Sequence, residues 1–416
     1  MSNPLANLQS CVSGKYRIET LESPLLEQLR QQASLGDPSG YESRLAKLVV
    51  AHREELESTA VPVFDTGWKP NLILDVGLNA ICVDPIYGWF MEATLGTGTT
   101  PTVYDPGAIT ATASGTACTA SSSFFTAGMG GMLIHWDSGE EAYIQTYNSG
   151  TSVTLSSSTT ASGAFAVHAV NRTGPASVSV TKVDTNNPTF TLASGVNTQA
   201  KTWVFDLETT NKVYTEGAIR RTNPGAYWSV FLISGGSVTV EIGQQARMSY
   251  SISTSVTTTA VPGTWPMSAY DVAAPGGWDN TDGDGQILTL VGLDSTTGVG
   301  PALVPGQAGG GHDIGTLTSR TTMFTYTDST YESNTGVLGG VRGTAAGYVS
   351  GTFYRDSTYY FPAATYNTTA IRSFVLTADG GFVMWQFLFD TAKTLDNNHS
   401  LSLTLRRSVR RVFTNP

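Results

Sequence analysis

The chain has 416 residues, of which only 13% are charged, about half the ~25% usual in soluble domains. A formal net charge of −10 excludes a coat for nucleic acid, which needs a basic face against phosphate. Forty serines and 58 threonines beside 40% hydrophobic and 10% aromatic residues exclude disorder and favour β-sheet, whose pleated surface suits such side chains.

No apolar run approaches the ~20 residues of a membrane-spanning helix, so no membrane span is expected. The N-terminus has no basic stretch followed by an apolar one, so no secretory signal is expected either. Cys11, Cys82 and Cys118 show no CxxC spacing, which argues against a disulfide framework or a zinc site and fits a reducing cytosol.

In chain order, residues 1–60 hold six Lys/Arg and eight Asp/Glu, the densest charge in the protein. Ser23-Pro24 reads as a cap with Pro at the first helical position, opening a helix through Leu25, Leu26 and Leu29. Gly36-Asp37-Pro38-Ser39-Gly40 breaks it. A second helix carries Leu45, Leu48, Val49, His52 and Leu56 at spacings of three and four, an apolar stripe ending at Val61-Pro62. The stripe either packs on the chain's own β domain or forms an anchor on a neighbouring subunit. Residues 1–62 are therefore read as an N-terminal helical anchor.

Beyond Pro62 the chain changes to short alternating runs between Gly, Asn, Asp and Ser turns. The expected fold class is mainly β, with antiparallel β-sandwich or barrel modules behind a short N-terminal helical segment. Residues 63–118 begin the β domain, and 119–172 form a small β module inserted in it. That module runs Met132–Trp136, a turn at Asp137-Ser138-Gly139, Ala142–Ile144, a turn at Asn148-Ser149-Gly150, then Ser152–Leu155. Residues 173–261 make a sandwich, 262–320 a Gly/Pro-rich loop or linker, and 321–416 a C-terminal sandwich part. Hairpins are expected at Trp228–Ile242, turning at Ser234-Gly235-Gly236, and at Ser373–Phe389, turning at Ala378–Gly381. Each precedes one more alternating strand, Met248–Val256 and Leu401–Leu405, a likeness that is either duplication or coincidence.

Two stretches carry a resemblance. Asn71-Leu72-Ile73-Leu74-Asp75-Val76-Gly77-Leu78, followed by Gly96-Thr97-Gly98-Thr99-Thr100-Pro101, resembles a signature of structural proteins from tailed bacteriophages, where a helix start precedes a Gly-Thr loop. Phe125 to Leu155, with Ile144, Tyr147, Ser149, Thr151 and Val153, is similar to a small β module of phage tail-fibre and tailspike proteins. Together they cover about 60 of the 416 residues. The resemblance implies a virion protein of the tail, baseplate, neck or fibre apparatus. It would assemble as a homo-oligomer, a trimer or hexamer, with other virion proteins as partners and host surface glycan as a further one. No direct nucleic-acid contact is expected. The bare Gly-Thr loop suits close approach by another chain. Gly96-Thr97-Gly98 is not a phosphate loop, since no Lys follows at the required spacing.

No catalytic constellation is legible, so no enzyme is expected; a glycan-degrading tailspike would print short parallel repeats that are missing here. His52 reads as packed on its helix, and His135 and His168 are near enough in the small module to meet in space, one ligand short of a usual zinc site. Asn280, Asp282 and Asp284 with Gly285 imitate the first half of a calcium loop, but the twelfth position is Val291 instead of Glu. They are a calcium candidate or a solvated turn; no other cofactor is expected. Alternating Tyr354, Tyr359, Tyr360 and Tyr366 read as sheet packing or sugar-stacking surface. Arg406, Arg407, Arg410 and Arg411 close an otherwise acidic chain and, with Leu45, Leu48, Val49 and Leu56, are expected to meet carboxylates and apolar patches of a neighbouring subunit.

Overall fold

Val12, Tyr16 and Ile18 alternate with Ser13, Lys15 and Arg17, and a period of two makes a strand with one buried face. In the computed structural model this is the middle of β1 (Leu5–Glu22). The structure describes residues 5–83, 91–186, 188–193, 196–220, 227–258, 267–271, 322–326, 337–345, 349–363, 369–377, 383–395 and 398–413. Three helices follow β1: α1 (Leu25–Ser34), α2 (Tyr41–Ala51) and α3 (Arg53–Thr59). Next come β2 (Val61–Asp65), β3 (Lys69–Asn71), α4 (Asp75–Val83) and β4 (Glu92–Gly96).

A run of short strands forms β5 (Val103–Tyr104), β6 (Ala111–Ala120), β7 (Leu133–Trp136), β8 (Glu141–Ser149), β9 (Ser152–Gly163) and β10 (Phe165–His168). The chain continues through β11 (Val180–Val183), β12 (Thr189–Ala193), β13 (Val196–Val204) and β14 (Lys212–Tyr214). Then come β15 (Glu216–Arg220), β16 (Tyr227–Leu232), β17 (Val238–Val240) and β18 (Gln245–Thr258). The last strands described are β19 (Met267–Asp271), β20 (Thr322–Tyr326), β21 (Val337–Ala345), β22 (Tyr354–Phe361), β23 (Thr369–Thr377), β24 (Val383–Leu395) and β25 (Leu401–Arg411).

The protein is mainly β, with most strand pairs antiparallel. The largest sheet runs β12-β13-β18-β1-β25-β22-β21-β20-β23-β24-β19. Within it β1 lies antiparallel to β18, from Leu8 against Thr258 to Leu21 against Gln245. Its other edge is parallel to β25 from Leu5 to Val12, and β3 and β2 take over that edge where β25 ends. Smaller sheets run β5-β10-β7-β8-β9-β6, β11-β4-β15-β16 and β14-β17.

The core lies between the large sheet and β4-β15-β16, an arrangement of sandwich type. From the large sheet come Val12, Tyr16, Ile18, Trp203, Met248, Tyr250, Ile252 and Val409; Ala93, Leu95, Ile219 and Phe231 face them. Each fully buried large side chain contributes about 1.5–3 kcal/mol. Gly14 breaks the inward row of β1 because a Cβ there would lie 2.6 Å from the Tyr250 hydroxyl. That hydroxyl accepts a 3.2 Å hydrogen bond from Asn71 Nδ2, and burial holds its proton well above the ordinary phenol range.

Several sequence expectations change here. Residues 1–62 are not a separate helical anchor, because β1 occupies the interior of the largest sheet. The first helix begins where expected, with Ser23 Oγ accepting from Leu25 N–H at 3.1 Å and meeting Thr59 Oγ1 at 2.6 Å, whereas the expected second helix is broken at His52 into α2 and α3. The stretch Trp228–Ile242 turns at Gly235 and Gly236, both with φ above +90°, but its arms do not pair. β16 joins β15, and β17 joins β14. The second hairpin is a true ladder, β23 against β24. The following strands, β18 and β25, flank β1 on opposite sides, one antiparallel and one parallel, so the two blocks are not equivalent.

The small module begins earlier than residue 119, since β5 and β6 belong to its six-stranded sheet. Residues 173–261 and 321–416 are likewise not separate sandwiches, because strands from both share the largest sheet. Of the Gly/Pro-rich stretch 262–320, only β19 lies within the described residues, paired to β24.

Removing residues 1–60 is expected to abolish cooperative unfolding, because the large sheet loses an interior strand. Urea denaturation followed by circular dichroism checks this; a wild-type midpoint in the truncated chain would make β1 dispensable. Tyr16→Phe is expected to cost about 1–3 kcal/mol in the same assay. The Tyr16 hydroxyl donates to Leu232 O at 2.9 Å and accepts from Ser234 N–H at 2.8 Å, and both backbone groups would lose their partner.

Candidate functional site

The first of the two stretches that resemble phage proteins serves packing within this chain. Glu216, fully buried at the start of β15, accepts hydrogen bonds from Arg172, from Ala176 N–H at 2.7 Å and from Ser177 N–H at 3.3 Å. A Cβ on Gly98 would lie 2.0 Å from Glu216 Oε2, and one on Gly96 1.8 Å from Ser177 O. The bareness of the Gly-Thr loop thus makes room for groups of the chain itself. Gly77 serves α4 in the same way, since its Cβ would lie 2.7 Å from Trp228 O on β16.

The C-terminal arginines lie on β25, still within the sheet, and three of them find carboxylates of the same chain. Arg406 forms a two-pronged pair with Asp356 at 2.8 and 2.9 Å and lies 3.7 Å from the centre of the Tyr354 ring. Arg410 reaches Glu141 at 2.7 Å, tying β25 to the small module. Arg411 is 4% exposed and pairs with Asp75 at the head of α4. The Tyr143 hydroxyl donates to the same carboxylate at 3.0 Å; burial, helped by the Asp75 charge, pushes its proton affinity up to about 12. These three residues, expected to meet a neighbour, are engaged within the chain. The side chain of Arg407 lies outside the described residues.

The apolar stripe of the helices is also spent internally. Leu45, Val49 and Leu56 are buried, and Leu48 is partly buried, in a cluster with Leu26, Leu29 and Ile242. Gly243 has φ +86°, and a Cβ there would lie 2.3 Å from Leu26, so the helices sit tightly on the loop after β17. His52 turns outward, 3.8 Å from Glu55, and is not the packed residue its stripe suggested. The calcium candidate Asn280, Asp282 and Asp284 lies outside the described residues, as does Tyr366. Among the described residues no group of three His, Cys, Asp or Glu is gathered to hold a metal ion.

His135 and His168 do meet, with ring centres 6.0 Å apart. Phe413, just beyond β25, lies 4.5 Å from each of them. Val412 N–H donates to Val12 O at 2.8 Å, which holds this terminal segment against β1. The segment therefore closes the seam between the sandwich and the small module.

At that seam lies a cleft of about 220 Å³. Its floor is Tyr16 and Phe231, stacked with ring centres 3.9 Å apart. Lys69 and Asn71 of β3, Thr102, His168 and Phe413 also line it. No local pattern marked Lys69 or Phe413 in the sequence; only the pairing of β3 with β1 and the return of the C-terminus bring them together.

A second feature is apolar surface. Val61, Val63, Phe64 and Trp68 are 45–56% exposed along β2 and the turn after it. Beside β2 a groove of about 330 Å³ is bordered by Val63, Phe64, Val238 and Gln244.

Arg411→Ala is expected to destabilise by about 3 kcal/mol in urea, because it strands a partly buried carboxylate. Arg410→Glu, at an exposed pair, should shift stability by about 1 kcal/mol or less. Cys118 is buried and its thiol is pushed up to about 11 by desolvation, so at pH 8 it stays protonated. Mass spectrometry after treatment with a thiol reagent at pH 8 is expected to find Cys118 unmodified in the folded protein and modified in denaturant.

Compared with protein-family models, with the curated proteins and with the solved structures, the chain matches none.

Proposed function

We propose that this chain is a structural component of a tailed-bacteriophage virion, in the tail, baseplate, neck or fibre apparatus, and that it works as a symmetric homo-oligomer. The sequence support is the pair of resembling stretches. The structural observation that carries the assembly part is the exposed row Val61, Val63, Phe64 and Trp68. Large apolar side chains grouped on a surface strand mark a surface that another protein covers.

The form of β2 restricts how it is covered. Among the described strands β2 pairs only with β1, and a bulge interrupts the register between Phe64 and Pro62. Pro62 has no N–H to offer a further strand. A proline and a bulge on an edge strand discourage open-ended strand addition. Contact through side chains in a closed ring satisfies the apolar row without that hazard. The helices and the arginines, which looked like the docking elements, are occupied within the chain, and β2 takes their place.

Light scattering at micromolar concentration is expected to give the mass of a trimer or hexamer. Val63→Asp with Phe64→Glu should return a monomer with an unchanged circular dichroism spectrum, since both side chains are already exposed. Antibody labelling of particles checks the virion assignment. A wild-type chain that stays monomeric and is not found on the particle would overturn the proposal.

A further inference from the structure

We infer that the cleft between the sandwich and the small module binds one acidic sugar ring, a hydroxylated six-membered ring bearing a carboxylate. Three features of its lining converge on that class of ligand. Among the described residues Lys69 is the one lysine or arginine that borders the cleft, and it makes no ion pair with any of them. A single ammonium matches a single negative charge. Doubly charged phosphate is ordinarily held by several donors, such as an arginine fork or a row of backbone N–H groups, and the lining offers no arginine.

The second feature is Asn71. Its Nδ2 is engaged by the hydroxyls of Ser229 and Tyr250, and its Oδ1 is buried with no hydrogen-bond partner among the described residues. Turning the amide over exchanges the two atoms and still leaves one polar atom over. Leaving such an atom unpaired costs about 1–3 kcal/mol. Asn71 borders the cleft, and a hydroxyl both donates and accepts, so a hydroxyl-rich ligand that reaches this atom as the lining adjusts satisfies it in either orientation.

The third feature is shape and polarity. Phe413 and Val412 supply apolar surface for the carbon face of a ring, and Thr102 and Ser234 also line the space. At about 220 Å³ the space is below the ~300–1,000 Å³ of sites for drug-sized ligands, which suits one ring and not an oligomer of them. Clefts where separate units of a fold meet are common places for small ligands. The inference does not rest on the virion proposal, and a monomeric chain would serve it equally.

Calorimetric titration of the full chain with glucuronate, glucose and acetate tests it. Glucose has the ring without the carboxylate, and acetate has the carboxylate without the ring. Glucuronate is expected to bind at least about tenfold more tightly than either, since each comparison lacks one set of contacts. Lys69→Met, checked for folding by circular dichroism, should reduce glucuronate to the level of glucose. Raising salt from about 50 to 500 mM should weaken glucuronate and leave glucose unchanged in the wild-type chain. No saturable glucuronate binding, or glucose binding as tightly, overturns the inference whatever happens to the variant. So does a folded Lys69→Met chain that binds glucuronate as the wild type does.

Discussion

The structure depends on one strand being paired along both edges. β1 meets β18 over nearly its whole length and meets the final strand, β25, in parallel along its first half. The N-terminal and C-terminal strands of the described chain are therefore neighbours in the same sheet. Parallel neighbours cannot be joined by a tight turn, so the connection runs through most of the chain. The large sheet cannot complete its pairing until its last strand arrives. Such long-range closure is slow to form because loop entropy is lost before the pairing repays it.

A chain with few charges uses many of them to fix this arrangement. Glu19 takes a two-pronged pair from Arg247, Glu92 pairs with Arg220, Glu216 with Arg172, and Asp75 with Arg411. Glu19, Glu92 and Glu216 are buried. Every one of these pairs joins segments far apart in sequence. Burying both members costs desolvation that the mutual attraction offsets only with good geometry, so the net gain in stability is small. What they supply here is register: a slipped β15 would leave Glu216 buried without Arg172 and without the two backbone N–H groups. The same economy explains the glycines of the Gly-Thr loop, which leave room for that carboxylate.

The seam between the sandwich and the small module joins these themes. Arg410 reaches Glu141 across it, Tyr143 donates across it to Asp75, which Arg411 also pairs, and Phe413 lies against both histidines. The cleft lies beside these contacts, lined by β3, Phe231 and Phe413. Further along the same edge of β1, β2 carries an exposed apolar row. One strand thus positions both the inward-facing cleft and the outward-facing surface.

Local pattern determined a good part of this protein. Hydroxyl-rich alternation marked it as β, and Leu401, Leu403 and Leu405 are buried on one face of β25 as their spacing implied. The turns at Asp137–Gly139 and Asn148–Gly150 separate β7, β8 and β9, and the helices run between the breaks that Pro and Gly impose. Side-chain period and turn chemistry depend on near neighbours, so they are visible in one sequence. β1 was harder to see, because Gly14 interrupts its inward row and Lys15, Arg17 and Glu19 give its other face the look of a helix surface. Partners belong to another level. Whether Arg411 meets a neighbour or Asp75, whether Leu45 covers another subunit or Ile242, and whether Lys69 and Phe413 share a cleft depend on which strands lie side by side. Pairing energies are nearly the same for many alternative orders of hydroxyl-rich strands, and only closure of the whole sheet around β1 selects one.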